Sequence, residues 1–323
     1  MQAIQVSRTG GPDVLELAEL PEPEPGEGQL LVEVAAAGVN YIDTYHRSGL
    51  YPMPVPFVLG REGAGRVLTA GPGVEGFAHG DRVAWKESGG SYAQRVLVPA
   101  AEALPVPDGV GDEVAAAVPL QGLTAHYLVS SAYPIQPGDT VLVHAAAGGV
   151  GLLLTQFAVA RGARVIGTVS TEVKAQLARS VGAAEVLNYA EVDDLAAAVR
   201  ELTGGDGVAA VYDGVGANTF DASLASLRPR GMLVLYGASS GPVPAFEPQR
   251  LAAAGSAFLT RPVLAHYTAN RDELTWRARE VFDAVVAGDV DVHIGGRYAL
   301  GDARAAHVDL QSRRTTGKLL LLP

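Results

Sequence analysis

The sequence predicts an α/β chain of two units, a β-rich, partly closed barrel and a doubly wound parallel sheet. Three observations point there. Residues 1 to about 120 read as short alternating strands cut by Gly and Pro. From about Val118 the pattern changes to repeated strand–helix units, which build parallel sheets. A glycine-rich turn joins the first of those later strands to its helix. The length of 323 residues is about twice the ~150-residue expectation for one domain.

In chain order, PEPEPGEG (21–28) is a polar turn region, because Pro lacks a ladder donor and Gly breaks either periodicity. QLLVEVAAAGV (29–39), GAGRVLTAG (63–71) and AQRVLVPA (93–100) alternate as strands, and HGDRVAW (79–85) enters a strand from a Gly-Asp turn. Strands this closely spaced suggest a barrel with few free edges. GLTAHYLVSS (122–131) has helical spacing, and residues 137–170 read as strand, turn, helix and strand. Val141, Leu142 and Val143 form an unbroken apolar run, as expected where both sheet faces are covered. The alternation continues through AEVLNYA (184–190), VAAVYDGVG (208–216), GMLVLYGAS (231–239) and GSAFLTRP (255–262), the last strand of the sheet. The tail holds an amphipathic stretch (271–288) and a final strand, GKLLLLP (317–323). The expected division is a first domain over 1–123, completed by 266–323, and a nucleotide domain over 124–265.

Composition narrows the function. Hydrophobic residues at 48% and charged residues at 18% are globular values. The absence of cysteine excludes disulfides, thiolate nucleophiles, iron–sulfur clusters and sulfur-ligated zinc. A net charge of −11 argues against a general nucleic-acid binder. No apolar run reaches the ~18–20 residues of a membrane span, and MQAIQVSRTGGPD lacks the pattern of a signal peptide. A cytoplasmic protein is the expectation.

The central motif is His144-Ala145-Ala146-Ala147-Gly148-Gly149-Val150-Gly151. Set on the dinucleotide fingerprint, Ala146, Gly148 and Gly151 take the three glycine positions. The following helix would then aim its unpaired N–H groups at a pyrophosphate. NAD sites usually carry Asp or Glu at the end of the second strand, but here RVIGTVS ends in Val169 and Ser170. Lys174 follows where an ammonium could meet a 2′-phosphate, with Ser170 and Tyr189 adding hydrogen bonds. This choice predicts NADPH. Gly237-Ala238-Ser239-Ser240-Gly241 matches a hydrolase nucleophile elbow, which needs a helix next; Pro242 and Pro244 forbid one.

With GVNYIDTYHRSGLYP (38–52), LGREGAG (59–65), NYA (188–190), VYDGVG (211–216) and TRP (260–262), the chain resembles the medium-chain dehydrogenase/reductase superfamily from end to end. Within that superfamily it looks like the zinc-free, zeta-crystallin-type NADPH:quinone oxidoreductases. The resemblance implies a GroES-like domain and a Rossmann domain, with cofactor and substrate in the cleft between them. Zinc enzymes of the superfamily have Cys where this chain has Asn40 and His where it has Arg61, so no zinc is expected. The seven histidines show no metal-ligand spacing. Metal-free hydride transfer suits an acceptor that spreads charge over a π system.

The resemblance further implies Tyr45 and Tyr51 in the substrate pocket, Asn40 and Asp43 at the nicotinamide end, and Arg61 toward an acceptor oxygen. It implies cofactor contacts at Gln121, Thr124, Ala147, Gly148, Gly149, Val150, Gly151, Ser170, Lys174, Tyr189, Val215, Ser239 and Arg313. Gln121 stands where close relatives have lysine. An enoyl or alkenal double-bond reductase and a non-catalytic, crystallin-like NADPH-binding protein are the alternatives. A homodimer joined along the last sheet strand is expected.

Overall fold

The longest strand, Gln29–Val39, organises the first unit of the computed structural model, which describes residues 1–323. Along one edge it pairs antiparallel with Glu62–Ala70. Its other edge is shared. Arg95–Pro99 pairs with residues 29–33, and the C-terminal strand Lys318–Leu322 pairs with residues 37–39. The sheet continues outward through Ile294–Ala299 on one side and through Arg82–Trp85 and Leu104–Pro105 on the other. A three-stranded sheet is formed by Leu15–Glu19, Gln2–Val6 and Phe57–Val58. Ile4, Leu30, Val32, Val83, Trp85, Tyr92 and Leu319 are among the residues that close the core. Alternation along these strands puts apolar side chains inward. This unit comprises Met1–Leu123, Asn270–Gly288 and Val292–Pro323.

Register decides where the polar residues meet. Glu62 opens its strand opposite Gly38, and Lys318 opens the C-terminal strand one position before Leu319 pairs with Val39. Asn40 follows Val39 directly and starts the helix Tyr41–Ser48. Three strand ends therefore deliver an amide, a carboxylate and an ammonium to one point.

The second unit, Thr124–Ala269 with Asp289–Asp291, is built on a six-stranded sheet whose neighbours all pair in parallel. The order is Glu185–Asn188, Arg164–Val169, Thr140–Val143, Val208–Asp213, Leu227–Leu235, Phe258–Thr260. The chain winds outward first to one side of Thr140–Val143 and then to the other. The strand order thus reverses beside Thr140–Val143, where open α/β sheets bind ligands at their carboxyl ends. The helix Gly149–Ala160 buries Leu152, Leu153, Leu154 and Phe157. The expected helix at 122–131 is an α-helix over Pro119–Tyr127 that widens to a π-turn over Leu128–Ala132. Residues 241–247 form no helix, so the hydrolase-like Gly-x-Ser-x-Gly motif lacks its required context. No helix is long and apolar enough to cross a membrane.

Candidate functional site

In the first unit the three strand ends build a buried cluster. Asn40 is 3% exposed; its Nδ2 donates to Glu62 Oε2 at 2.7 Å, and its Oδ1 accepts from Lys318 Nζ at 2.8 Å and Gln121 Nε2 at 3.2 Å. Lys318 is also paired directly with Glu62, whose second oxygen accepts from the Leu120 N–H at 2.6 Å. The backbone N–H of Asn40 donates to Asp43 Oδ2 at 2.8 Å, the reciprocal half of a helix capping box. Asp43 also accepts from Tyr92 Oη at 2.8 Å, while its Oδ1 is buried without a partner.

The network continues into the helix Ala303–Gln311. Tyr92 Oη lies 3.3 Å from His307 Nε2, and Arg47 Nη1 lies 3.0 Å from His307 Nδ1. Because a guanidinium only donates, Nδ1 accepts and the His307 proton sits on Nε2. Burial, with Arg47 beside it, holds His307 down at about 3, so it is neutral at ordinary pH.

Burial raises the Asp43 carboxyl from 3.8 to about 6, against the opposing Asn40 N–H, Tyr92 hydroxyl and Lys318 ammonium. A raised carboxyl binds its proton more tightly in the folded state. Its stabilising contribution is complete below the unfolded value and is lost as pH rises through about 6. The stability advantage of wild type over Asp43→Asn is therefore expected to shrink by ~2–3 kcal/mol between about pH 4 and pH 7. Urea denaturation across that range checks it; a constant difference rejects it.

Next to this network stand the predicted substrate residues. Tyr45 and Tyr51 meet edge to face with ring centroids 5.3 Å apart, and Tyr51 is 41% exposed. His46 packs edge-on against Tyr51 at 5.9 Å. Its Nε2 accepts from Arg61 Nη1 at 3.3 Å. Arg61 is also paired with Glu87, which shares the Lys86 ammonium at 3.6 Å. Burial, then Arg61, lowers the His46 pKa.

The structure thus brings Asn40, Asp43, Tyr45, Tyr51 and Arg61 onto or beside one short helix, but not with equal access. Asp43 is 0% exposed, so it has no surface with which to line a nicotinamide. It acts on the helix start instead. Asn40 has spent its amide on Glu62, Lys318 and Gln121.

In the second unit the expected turn spans Ala145–Gly148. Gly148 begins the helix Gly149–Ala160 without any side-chain cap, leaving the first-turn N–H groups for a ligand. A Cβ on Gly151 would collide with the Ala145 carbonyl oxygen and stand 2.9 Å from Ala146 Cα. Ala145 itself holds a left-handed φ of 50°, strain of a kind that collects at ligand turns. Ser170 and Thr171 follow the second strand, and Thr171 Oγ1 accepts from the Lys174 N–H at the next helix start. Tyr189 is 44% exposed at the end of the third strand. Val215 follows Asp213, whose Oδ1 accepts its N–H at 2.8 Å. Ser239 N–H donates to the Gly214 carbonyl at 3.2 Å, which holds those two loops together. Thr124 is 8% exposed, and Arg313 is an exposed residue of the first unit with φ 59°.

Sequence reasoning missed Glu62, Lys318, Tyr92, His307, His46 and, in the second unit, His144 and Asp213. One signal was available for two of them. A charged residue inside an apolar strand pattern, as in REGAG and GKLLLL, must be paired if buried.

Residues 26–108 match the alcohol dehydrogenase GroES-like domain family, and residues 149–270 match the family described as zinc-binding dehydrogenase. A quinone oxidoreductase of Pseudomonas aeruginosa is 44% identical over 99% of both chains. The chain belongs to the quinone oxidoreductase family. This family's likeness extends to a solved mycobacterial protein complexed with NADPH, 56% identical over 100% of both chains with a TM-score of 0.98. A 2-haloacrylate reductase of a Burkholderia species is 43% identical over 100% of this chain and 99% of its own.

Zinc does not fit the family member described here. Arg61 offers no lone pair, and Asn40 Oδ1 already accepts from an ammonium. NADPH does fit. The uncapped helix start, the Gly151 contact that keeps the turn close, and Lys174 without a carboxylate at the second strand end match a phosphorylated dinucleotide.

Proposed function

We propose that this chain is an NADPH-dependent quinone oxidoreductase that needs no zinc. The end-to-end likeness to a quinone oxidoreductase carries the reading. Bound NADPH supplies the hydride. The chain's own groups bind and orient: the Ala147–Gly151 turn takes the pyrophosphate, and Ser170, Lys174 and Tyr189 take the 2′-phosphate. Thr124, Val215 and Ser239 serve the rest of the cofactor, and the family resemblance adds Gln121 and Arg313. Tyr45 and Tyr51 offer flat apolar faces and phenol donors to a conjugated acceptor, and Arg61 offers a positive charge. Negative charge developing on a quinone is delocalised, so hydrogen-bond donors can stabilise it without a Lewis acid.

NADPH oxidation measured with benzoquinone, naphthoquinone, phenanthrenequinone and an alkenal, with and without EDTA, tests the proposal. Turnover of the quinones in both conditions is expected. The 2-haloacrylate reductase relative favours a second reading, reduction of a polarised C=C bond, and turnover of the alkenal alone would select it. NADPH binding without any oxidation would leave a non-catalytic role.

Cofactor choice gives a separate expectation. Lys174→Ala should weaken NADPH binding about tenfold and leave NADH nearly unchanged, because only the 2′-phosphate loses a charge-assisted partner. Fluorescence titration with both cofactors checks this; equal losses for the two would reject the assignment.

We also assign the Phe258–Thr260 edge to a homodimer in the cytoplasm. It is the terminal strand of its sheet, and Phe258 is 56% exposed beside unpaired backbone groups. Sedimentation at micromolar concentration should give twice the 33.3 kDa chain mass.

A further inference from the structure

Three of the second-unit loops that carry proposed NADPH contacts follow Val143, Val169 and Asp213. One buried side chain connects their supports. His144, 1% exposed, directly follows the first strand and leads into the phosphate turn. Its Nδ1 lies 2.9 Å from Thr168 Oγ1 on the second strand, and its Nε2 lies 2.9 Å from Ser223 Oγ on the helix Phe220–Ala225. Ser223 Oγ in turn donates to Asp213 Oδ2 at 2.7 Å.

The donor inventory fixes the tautomer. Asp213 takes N–H donors from Val215 and Gly216 and the hydroxyl of Thr219, so its carboxylate is an acceptor throughout. Ser223 has one proton and gives it to Asp213, so it must accept from His144 Nε2–H. His144 Nδ1 then accepts from Thr168. Burial lowers the His144 pKa, which keeps the ring neutral and the pattern constant.

We propose that His144 is a positioning residue for NADPH: its ring ties the ends of three adjacent strands and so presets three of the loops that receive the cofactor. The inference rests on the reading of those loops as the NADPH site. An apolar side chain could fill the same space without the desolvation cost of four polar groups. What the polar chain adds is direction. It runs from Thr168, which precedes the Val169–Ser170 strand end, through His144 beside Ala145, to Asp213, which orients the Val215 and Gly216 N–H groups. Preset loops lose less conformational freedom on binding, which appears as cofactor affinity.

The test compares NADPH dissociation constants and steady-state kinetics for wild type, Thr168→Val, Ser223→Ala, His144→Ala and His144→Gln. Thr168→Val is nearly isosteric and Ser223→Ala is a small truncation, so both keep the argument testable if His144→Ala folds poorly. Each is expected to weaken NADPH binding several-fold and His144→Ala on the order of tenfold. The quinone KM and the kcat at saturating NADPH should hold. His144→Gln, whose amide N–H reaches toward Ser223, should recover most of the loss. Nitrogen-15 NMR of the wild-type histidines should show His144 as the Nε2–H tautomer.

Unchanged NADPH affinity in the variants, equal loss in the quinone KM, or an Nδ1–H tautomer overturns the inference. Failure of wild type itself to bind NADPH overturns the functional reading first, and the inference with it.

Discussion

Gly151→Ala is expected to weaken NADPH binding by on the order of 100-fold, equivalent to ~2–3 kcal/mol, while leaving most of the fold intact. The nearest atoms to the added Cβ are all main chain, namely the Ala145 carbonyl group and Ala146 Cα. Main chain cannot rotate away as a side chain can. The helix start must lift or the turn must open, and either motion withdraws the N–H groups from the pyrophosphate. The loss should be shared by NADH, since both cofactors carry that group. Gly89→Ala is the control: its Cβ meets nothing within 4 Å, and its φ is not left-handed. Titration with both cofactors and thermal denaturation of both variants check the prediction. Equal NADPH affinity in Gly151→Ala and wild type would refute it.

The second large effect concerns stability. Lys318 is 1% exposed and Glu62 is 0% exposed. Lys318→Met leaves the Glu62 carboxylate buried with only the Asn40 amide and Leu120 N–H, and should destabilise the protein by ~3–5 kcal/mol. Adding Glu62→Gln removes the uncompensated charge while keeping an oxygen for Leu120. The double variant should therefore recover much of the loss, giving a coupling energy of ~2 kcal/mol or more. Urea denaturation of the four proteins of the cycle measures it. Additive losses would show that the two charges do not act as a pair.

The second unit was more legible in the sequence than the cluster in the first, for a physical reason. Val141–Val143, Gly148, Gly151 and the apolar helix that follows are close in sequence, so a local pattern encodes the strand, the turn and the helix. The parallel sheet follows from repeating that unit. Tyr45 and Tyr51 sit close together in the chain, on and just after one short helix, and their contact is likewise local. The Asn40–Glu62–Lys318 cluster has no local pattern, because Lys318 lies 278 residues from Asn40 and 256 from Glu62. Its existence depends on strand register, which a linear reading does not contain. The histidines were opaque for a related reason. His144 and His307 stand alone in sequence, yet each is nearly or fully buried and bonded on both ring nitrogens.

The divided edge of the Gln29–Val39 strand has a consequence for biosynthesis. Residues 37–39 find their partner in Leu319–Leu321, which leave the ribosome after the whole of the second unit. At ~5–20 residues per second, the nascent N-terminal sheet waits roughly fifteen to fifty-five seconds for that partner. During this interval Ala37 to Val39 present bare hydrogen-bonding groups, and Glu62 lacks its ammonium. The N-terminal part is therefore synthesised first and completed last, and a chaperone that shields this edge would act during elongation.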